Sequence, residues 1–228
     1  MPLVYQHNIN EDTRLGIWQI TETEAFFLQR VPVKQDVSHP HKRLQHLAGR
    51  YLLPVLFNDF PLEEILIADT RKPFLENERY HFSISHCGNY AAAIVSRTNR
   101  VGVDIEVITP KIARIKHKFV SEEELSVLSS EFAVPNSQLS VTSDRLPFTE
   151  EVEWRLLTLL WSCKEAIFKW YGSGQVDFRR HMRLQGPVLW EDREWQEIPF
   201  LLTKVKNQPL TLNARFLDNL VLAWLCTA

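Results

Sequence analysis

Cysteine, glycine and one-sided charge are all scarce in this chain, and each scarcity removes a class of reading. Three cysteines (Cys87, Cys163 and Cys226) occur in 228 residues. The count is odd and the spacing suits no metal, so reduced thiols are expected rather than a disulfide framework. Seven glycines form no P-loop and no Gly-rich nucleotide motif. A net charge of −2 and a pI near 6.5 leave no global basic field for nucleic acid. No apolar run approaches the ~20 residues a membrane-spanning helix needs. The opening MPLVYQHNINEDTRLG lacks the basic-then-apolar pattern of a secretion signal. A cytoplasmic protein away from membranes is expected.

What is present suits an aromatic-rich globular chain. Hydrophobic residues make up 45% and charged residues 24%, with 13 Phe and 7 Trp, enough for one large domain or two small ones. LGIWQI within Arg14 to Leu28 is strand-like. Ser38 to Phe57 reads as a helix with an apolar stripe (Leu44, Leu47, Tyr51, Leu52, Val55), shortened or kinked at Pro54. Arg43, His46 and Arg50 fall on its other, polar face. A β-rich block follows: Ile65 to Ala68, a polar turn at Arg71-Lys72-Pro73, His81 to Ser85, Tyr90 to Ser96 and Val101 to Val107. The RTNR connector between the last two has hairpin composition. Ser121 and Glu124 form a capping box that starts a helix. Phe132 to Thr149 reads as a long loop. Glu151 to Tyr171 is the strongest helix, with Gly172 at its C-terminal cap. Met182 to Leu184, Phe200 to Val205, Thr211 to Phe216 and Leu220 to Cys226 return to strand. YAAAIVS and NLVLAWLC are alike, each a buried strand after a polar turn, which suggests a duplicated α+β unit.

Four clusters carry possible chemistry. In VGVDIEV, Asp104 and Glu106 share one strand face while Val103 and Ile105 take the buried one. Alone, this pattern reads first as an amphipathic strand with solvated carboxylates. In WSCKEAIFK, Glu165 and Lys169 lie one helical turn apart, the spacing of an ordinary surface ion pair, and Lys164 points about 100° round the helix. FSISHCG ends a strand in Ser85-His86, where a phosphate contact fits better than a catalytic pair. Arg43, Arg50, Arg71 and Lys72 are solvated surface charges unless they gather near Ser85 and His86, where they would hold several phosphates.

Together, VGVDIE, WSCKEAIFK, RKPF and FSISH resemble, in pattern and spacing, the 4′-phosphopantetheinyl transferase superfamily, specifically its two-lobed surfactin-synthetase-activating type. The resemblance runs from about Arg43 to Lys169. One departure is local: the family usually has Gly before Lys-Pro, where this chain has Arg71.

The resemblance implies an α+β fold of two similar lobes, residues 1–106 and 107–228, with the active site in the cleft between them. It implies transfer of 4′-phosphopantetheine from coenzyme A to a serine hydroxyl of an acyl or peptidyl carrier protein, releasing 3′,5′-ADP. Asp104, Glu106 and Glu165 would hold Mg²⁺. Oxygen ligands suit that ion, and a cation relieves three crowded carboxylates. Arg43, Arg50, Lys72, Ser85, His86 and Lys164 would contact coenzyme A. Asp104, Glu165 and Lys169 would be catalytic, with Glu165, Lys169 or water left open as the base. Lys111 to Lys118 (KIARIKHK) would form a basic, partly apolar rim for an acidic carrier. A monomer is expected, and the carrier's identity stays open. The competing readings are a non-catalytic scaffold of the same fold that binds coenzyme A or a carrier, and another Mg²⁺-dependent phosphoryl or nucleotidyl transferase.

Overall fold

The structure is a computed structural model describing residues 2–32, 37–130, 149–186, 188, 195–204 and 206–228, the side chains of residues 129 and 130 excepted. The chain runs β1 (Leu3–Asn10), β2 (Thr13–Gln19), α1 (Glu24–Leu28), α2 (Pro40–Leu56), β3 (Leu66–Ile67), β4 (Pro73–Phe74), β5 (His81–Cys87) and β6 (Tyr90–Ser96). It continues through β7 (Arg100–Val107), α3 (Lys111–Ile115), α4 (Glu122–Ser130), α5 (Glu150–Tyr171), α6 (Phe178–His181), β8 (Met182–Leu184), β9 (Gln196–Leu202), β10 (Gln208–Leu217) and β11 (Leu220–Thr227). The expected α+β class holds. Most of the expected loop at Phe132 to Thr149 lies outside the described residues.

The first sheet has the order β1-β2-β6-β5 and the second β7-β11-β10-β9-β8. All pairings are antiparallel. β6 and β11, the two strands that read alike in sequence, each lie between two neighbours and are almost wholly buried. The RTNR connector is not a hairpin. β6 stays in the first sheet while β7 pairs with β11 in the second. Turn composition reports a local reversal of the chain, not which strands become partners. β1 was not anticipated: its alternation LVYQHNIN is too polar to stand out, as suits an edge strand.

Three cores hold these layers. α2 packs Leu47, Leu52, Leu53 and Leu56 against Trp18, Ala91, Ala93 and Val95 of the first sheet. α5 packs Leu157, Leu160 and Ile167 against Ala214, Val221 and Ala223 of the second. Between the sheets, Leu15, Ile17, Ala92 and Ile94 meet Val103, Ile105, Leu222 and Trp224. Burying such a side chain contributes about 1.5–3 kcal/mol, so both long helices are fixed by tertiary packing.

One edge of each sheet, β5 of the first and β7 of the second, meet at a seam stitched by side chains. Val103 N donates to Ser83 Oγ (3.2 Å) and Val107 N to Cys87 Sγ (3.4 Å). Ser83, Ser85 and Cys87 alternate along β5, so one strand face supplies every stitch. Two glycines allow the flanking helices to come close. A methyl on Gly102 would lie 2.2 Å from Ala166 O of α5, and one on Gly49 2.5 Å from Ile84 Cγ2 of β5.

Local signals mostly held. Thr149 Oγ1 accepts from Val152 N (3.3 Å) at the start of α5, and Gly172 closes it at φ 71°. The capping box forms in both directions, Ser121 N to Glu124 Oε2 (2.9 Å) and Glu124 N to Ser121 Oγ (3.2 Å). α2 ends two residues beyond Pro54. Its expected polar face did not hold: Arg50 is only 3% exposed, because β5 covers that side of the helix.

Candidate active site

Asp104 is the node of the seam. It is 2% exposed, not the solvated carboxylate an amphipathic strand would carry. Ser85 donates to its Oδ1 (2.8 Å) and Ser162 to its Oδ2 (2.8 Å). Lys169 Nζ reaches Oδ1 at 2.6 Å and Ser85 Oγ at 2.8 Å. A buried carboxylate needs such partners, and here they come from β5 and two positions on α5. Ser162 was not singled out from the sequence. Its place beside Lys164 and Glu165 in the WSCKE run was the available signal.

Two further carboxylates surround this node. Glu106, one strand step along, accepts from Trp161 Nε1 at 3.1 Å. Burial raises its pKa, with Asp104's charge adding to the effect. Glu165 makes no hydrogen bond among the described residues. Its pKa is pushed up to about 7, first by burial, then by the charge of Asp104, and with a further contribution from Glu106. Among the described residues no three His, Cys, Asp or Glu side chains stand close enough together to hold a metal ion as they lie. The chemistry of the donors suits a hard divalent cation, since the carboxylates supply only oxygen.

Across the seam the side chains are of the opposite sign. Ser85 and His86 are consecutive, so they leave opposite faces of β5: Ser85 meets Asp104, whereas His86 turns toward α2. Arg50 has no hydrogen bond or ion pair among the described residues, and burial lowers its pKa. His46 is held down to about 4 by burial, then by Arg50 and His86. Burial, then the charge of Lys169, lowers His86. Lys72 is lowered to about 8 by burial and then by Arg100. Its Nζ reaches Trp170 O at 3.3 Å. A cavity of about 200 Å³ joins Arg71, Lys72, Ser83 and Lys169.

Arg71 sits at φ 66°. That left-handed conformation favours glycine, which explains the glycine found here in the family pattern and makes arginine the strained choice. Arg43 lies at the margin, its guanidinium bound by both carboxylate oxygens of Glu24 at 2.7 and 3.0 Å.

Lys164 departs most from expectation. Its side chain is 0% exposed, and Nζ donates to Phe119 O (2.6 Å), Glu124 Oε2 (2.7 Å) and Phe178 O (3.0 Å). An ammonium has three protons, so none is left for a phosphate. In Lys111 to Lys118, Ile112 and Ile115 turn into the core of the second sheet, and Lys116 pairs with Glu153 at 2.9 Å. The outer face of this stretch is therefore basic without the expected apolar element.

Fold and site together define an α+β protein with a cluster of buried carboxylates on one side of the β5–β7 seam and basic side chains on the other. A profile of the 4′-phosphopantetheinyl transferase superfamily matches residues 100–219, more than half of the chain. The chain belongs to that superfamily. It is 32% identical over 147 residues to the 4′-phosphopantetheinyl transferase AcpT of Escherichia coli O157:H7, covering 62% of this chain and 64% of that protein. To enterobactin synthase component D of Salmonella typhi it is 30% identical over 129 residues, covering 56% of this chain and 47% of that protein. The chain thus spans roughly half to just under two thirds of the length of these curated relatives. No helix among the described residues is long and apolar enough to cross a membrane.

Proposed function

We propose that the chain transfers 4′-phosphopantetheine from coenzyme A to a serine hydroxyl of a carrier protein, releasing 3′,5′-ADP. One observation carries this reading. Buried carboxylates (Glu106, Glu165), whose pKa values burial and then Asp104 raise, and cations (Arg50, Lys72), whose pKa values burial lowers, are gathered about the β5–β7 seam. A polyphosphate substrate bound with a divalent cation neutralises both sides at once.

In this reading Arg50, Lys72 and His86 receive the phosphates of coenzyme A, with Arg43 at the edge. Asp104, Glu106 and Glu165 would hold Mg²⁺, which when bound would supply Lewis-acid stabilisation of charge on the diphosphate. Ser85 and Ser162 keep Asp104 turned into the crevice. Lys169 sits beside the reacting phosphate oxygens and offsets charge that develops there. The proton of the carrier serine would pass to Glu165, Lys169 or a water; the raised pKa of Glu165 belongs to the metal-free site. If each sheet with its helix forms one lobe, the division falls in the connector between β6 and β7, ahead of residue 100, and not at the expected 106 and 107, because β7 pairs with β11 of the second sheet. The exposed cations Lys111, Arg114 and Lys118 provide a basic rim for an acidic carrier. A cytoplasmic monomer accords with the whole site lying in one chain.

The test is incubation with coenzyme A, Mg²⁺ and an apo carrier protein, followed by intact mass. A gain of one phosphopantetheine on the carrier is expected. Binding of coenzyme A without that gain would leave the chain as a scaffold.

A further inference from the structure

In the run Trp161-Ser162-Cys163-Lys164-Glu165, two side chains bond a crevice carboxylate and a third, Lys164, braces one of them. Ser162 holds Asp104 directly. Trp161 holds Glu106 through its indole N–H at 3.1 Å. The Trp161 ring is itself clamped. Phe119 packs on it edge-to-face at 5.1 Å, and Phe178 lies tilted at 5.5 Å. The carbonyls of those same two residues, Phe119 O and Phe178 O, accept from Lys164 Nζ.

Lys164 therefore ties together the two segments that carry the clamp, one before α4 and one opening α6. Glu124 secures the arrangement. Its Oε2 takes Lys164 Nζ and Ser121 N, and its Oε1 takes Leu184 N (3.1 Å). A buried, fully bonded lysine of this kind is costly to desolvate and needs a reason to be kept. Its partners suggest one.

We propose that Lys164 and Trp161 are positioning residues for Glu106. Lys164 fixes Phe119 and Phe178, their rings fix the indole, and the indole N–H fixes the carboxylate in the orientation that faces Asp104 and Glu165. Cys87 of β5 lies near the same carboxylate, whose charge helps raise the thiol's pKa. Glu106 is thus flanked from both sides of the seam. Hydrogen-bond partners one layer behind a metal ligand commonly alter metal affinity about 10–100-fold when removed.

This inference rests on Asp104, Glu106 and Glu165 holding a divalent cation, as proposed above. The experiment separates the two. Mn²⁺ binding to the full chain in the presence of coenzyme A, without carrier protein, is measured by electron paramagnetic resonance. The proteins compared are wild type, Trp161→Phe, Glu106→Gln and the double variant, with circular dichroism to verify folding. Trp161→Phe keeps an aromatic ring in the clamp and removes only the donor. Its expected effect is Mn²⁺ affinity about 10-fold weaker, with no further loss when added to Glu106→Gln.

Lys164→Met is expected to weaken Mn²⁺ in the same direction. If it does not fold, Phe119→Leu opens one side of the clamp instead. Wild type that binds no Mn²⁺ would overturn the functional reading itself. Wild-type binding matched by Trp161→Phe, or a loss that persists in full on top of Glu106→Gln, would overturn the positioning role alone. A folded Lys164→Met or Phe119→Leu variant with wild-type affinity would remove the lysine and its clamp from the chain of contacts.

Discussion

Lys169 Nζ lies 2.6 Å from Asp104 Oδ1, joining residues 65 positions apart, with Ser85 Oγ bonded to both. This triangle binds β5, β7 and α5 at one point, and the other groups of the crevice are arranged around it.

Glu165→Gln is nearly isosteric and removes the one crevice carboxylate without a hydrogen bond among the described residues. Transfer to an apo carrier should fall by roughly 10²–10⁴-fold, with the circular dichroism spectrum unchanged. Activity close to wild type would remove Glu165 as ligand and as base.

The raised pKa of Glu165, about 7 against an ordinary 4.5, sets a pH dependence of stability. The folded state holds this proton more tightly than the unfolded state, so its contribution is complete below about pH 4.5 and is lost as pH rises through 7. Thermal scans in chelator should show melting temperature falling between pH 5 and 7.5. Mg²⁺ with coenzyme A should remove most of the fall, and Glu165→Gln should flatten it. A chelated wild type whose stability rises over that window would contradict this assignment.

Lys164→Met strands Glu124 in the interior and should cost about 3–5 kcal/mol. Adding Glu124→Gln removes the unpaired charge and keeps one oxygen acceptor for Ser121 N or Leu184 N, at the loss of the other bond. Denaturant unfolding should show the double variant recovering at least half of that loss. A phosphate-binding lysine would show no such rescue.

Arg71→Gly relieves a left-handed backbone and should stabilise the protein by about 1 kcal/mol, seen as a higher melting temperature. Because Arg71 also lines the cavity beside Lys72, the Michaelis constant for coenzyme A in the same variant reports whether its side chain serves that site.

Gly102→Ala would drive a methyl into Ala166 O at 2.2 Å, where backbone must move. A loss of about 1–3 kcal/mol is expected, together with reduced transfer, since β7 carries Asp104 and Glu106 past α5 at this crossing. Unchanged stability by chemical denaturation would mean the two elements are not in fixed register.

Features set by neighbours along the chain were legible in the amino-acid sequence. These include the Thr149 and Gly172 ends of α5, the Ser121–Glu124 capping box, the inward face of Val103 and Ile105, and the pairing of Asp104 with Glu106 on one strand side. All depend on φ/ψ preference and on periods of 2 and 3.6 residues. Tertiary structure alone decided which element covers each face. It placed β7 in the second sheet, buried Arg50 under β5, turned Lys164 onto Phe119, Glu124 and Phe178, and gave Glu106 its indole donor. The physical reason is that a charged residue reads the same in a sequence whether water or a buried partner surrounds it. Only the approach of distant segments supplies the acceptors that allow such a charge inside.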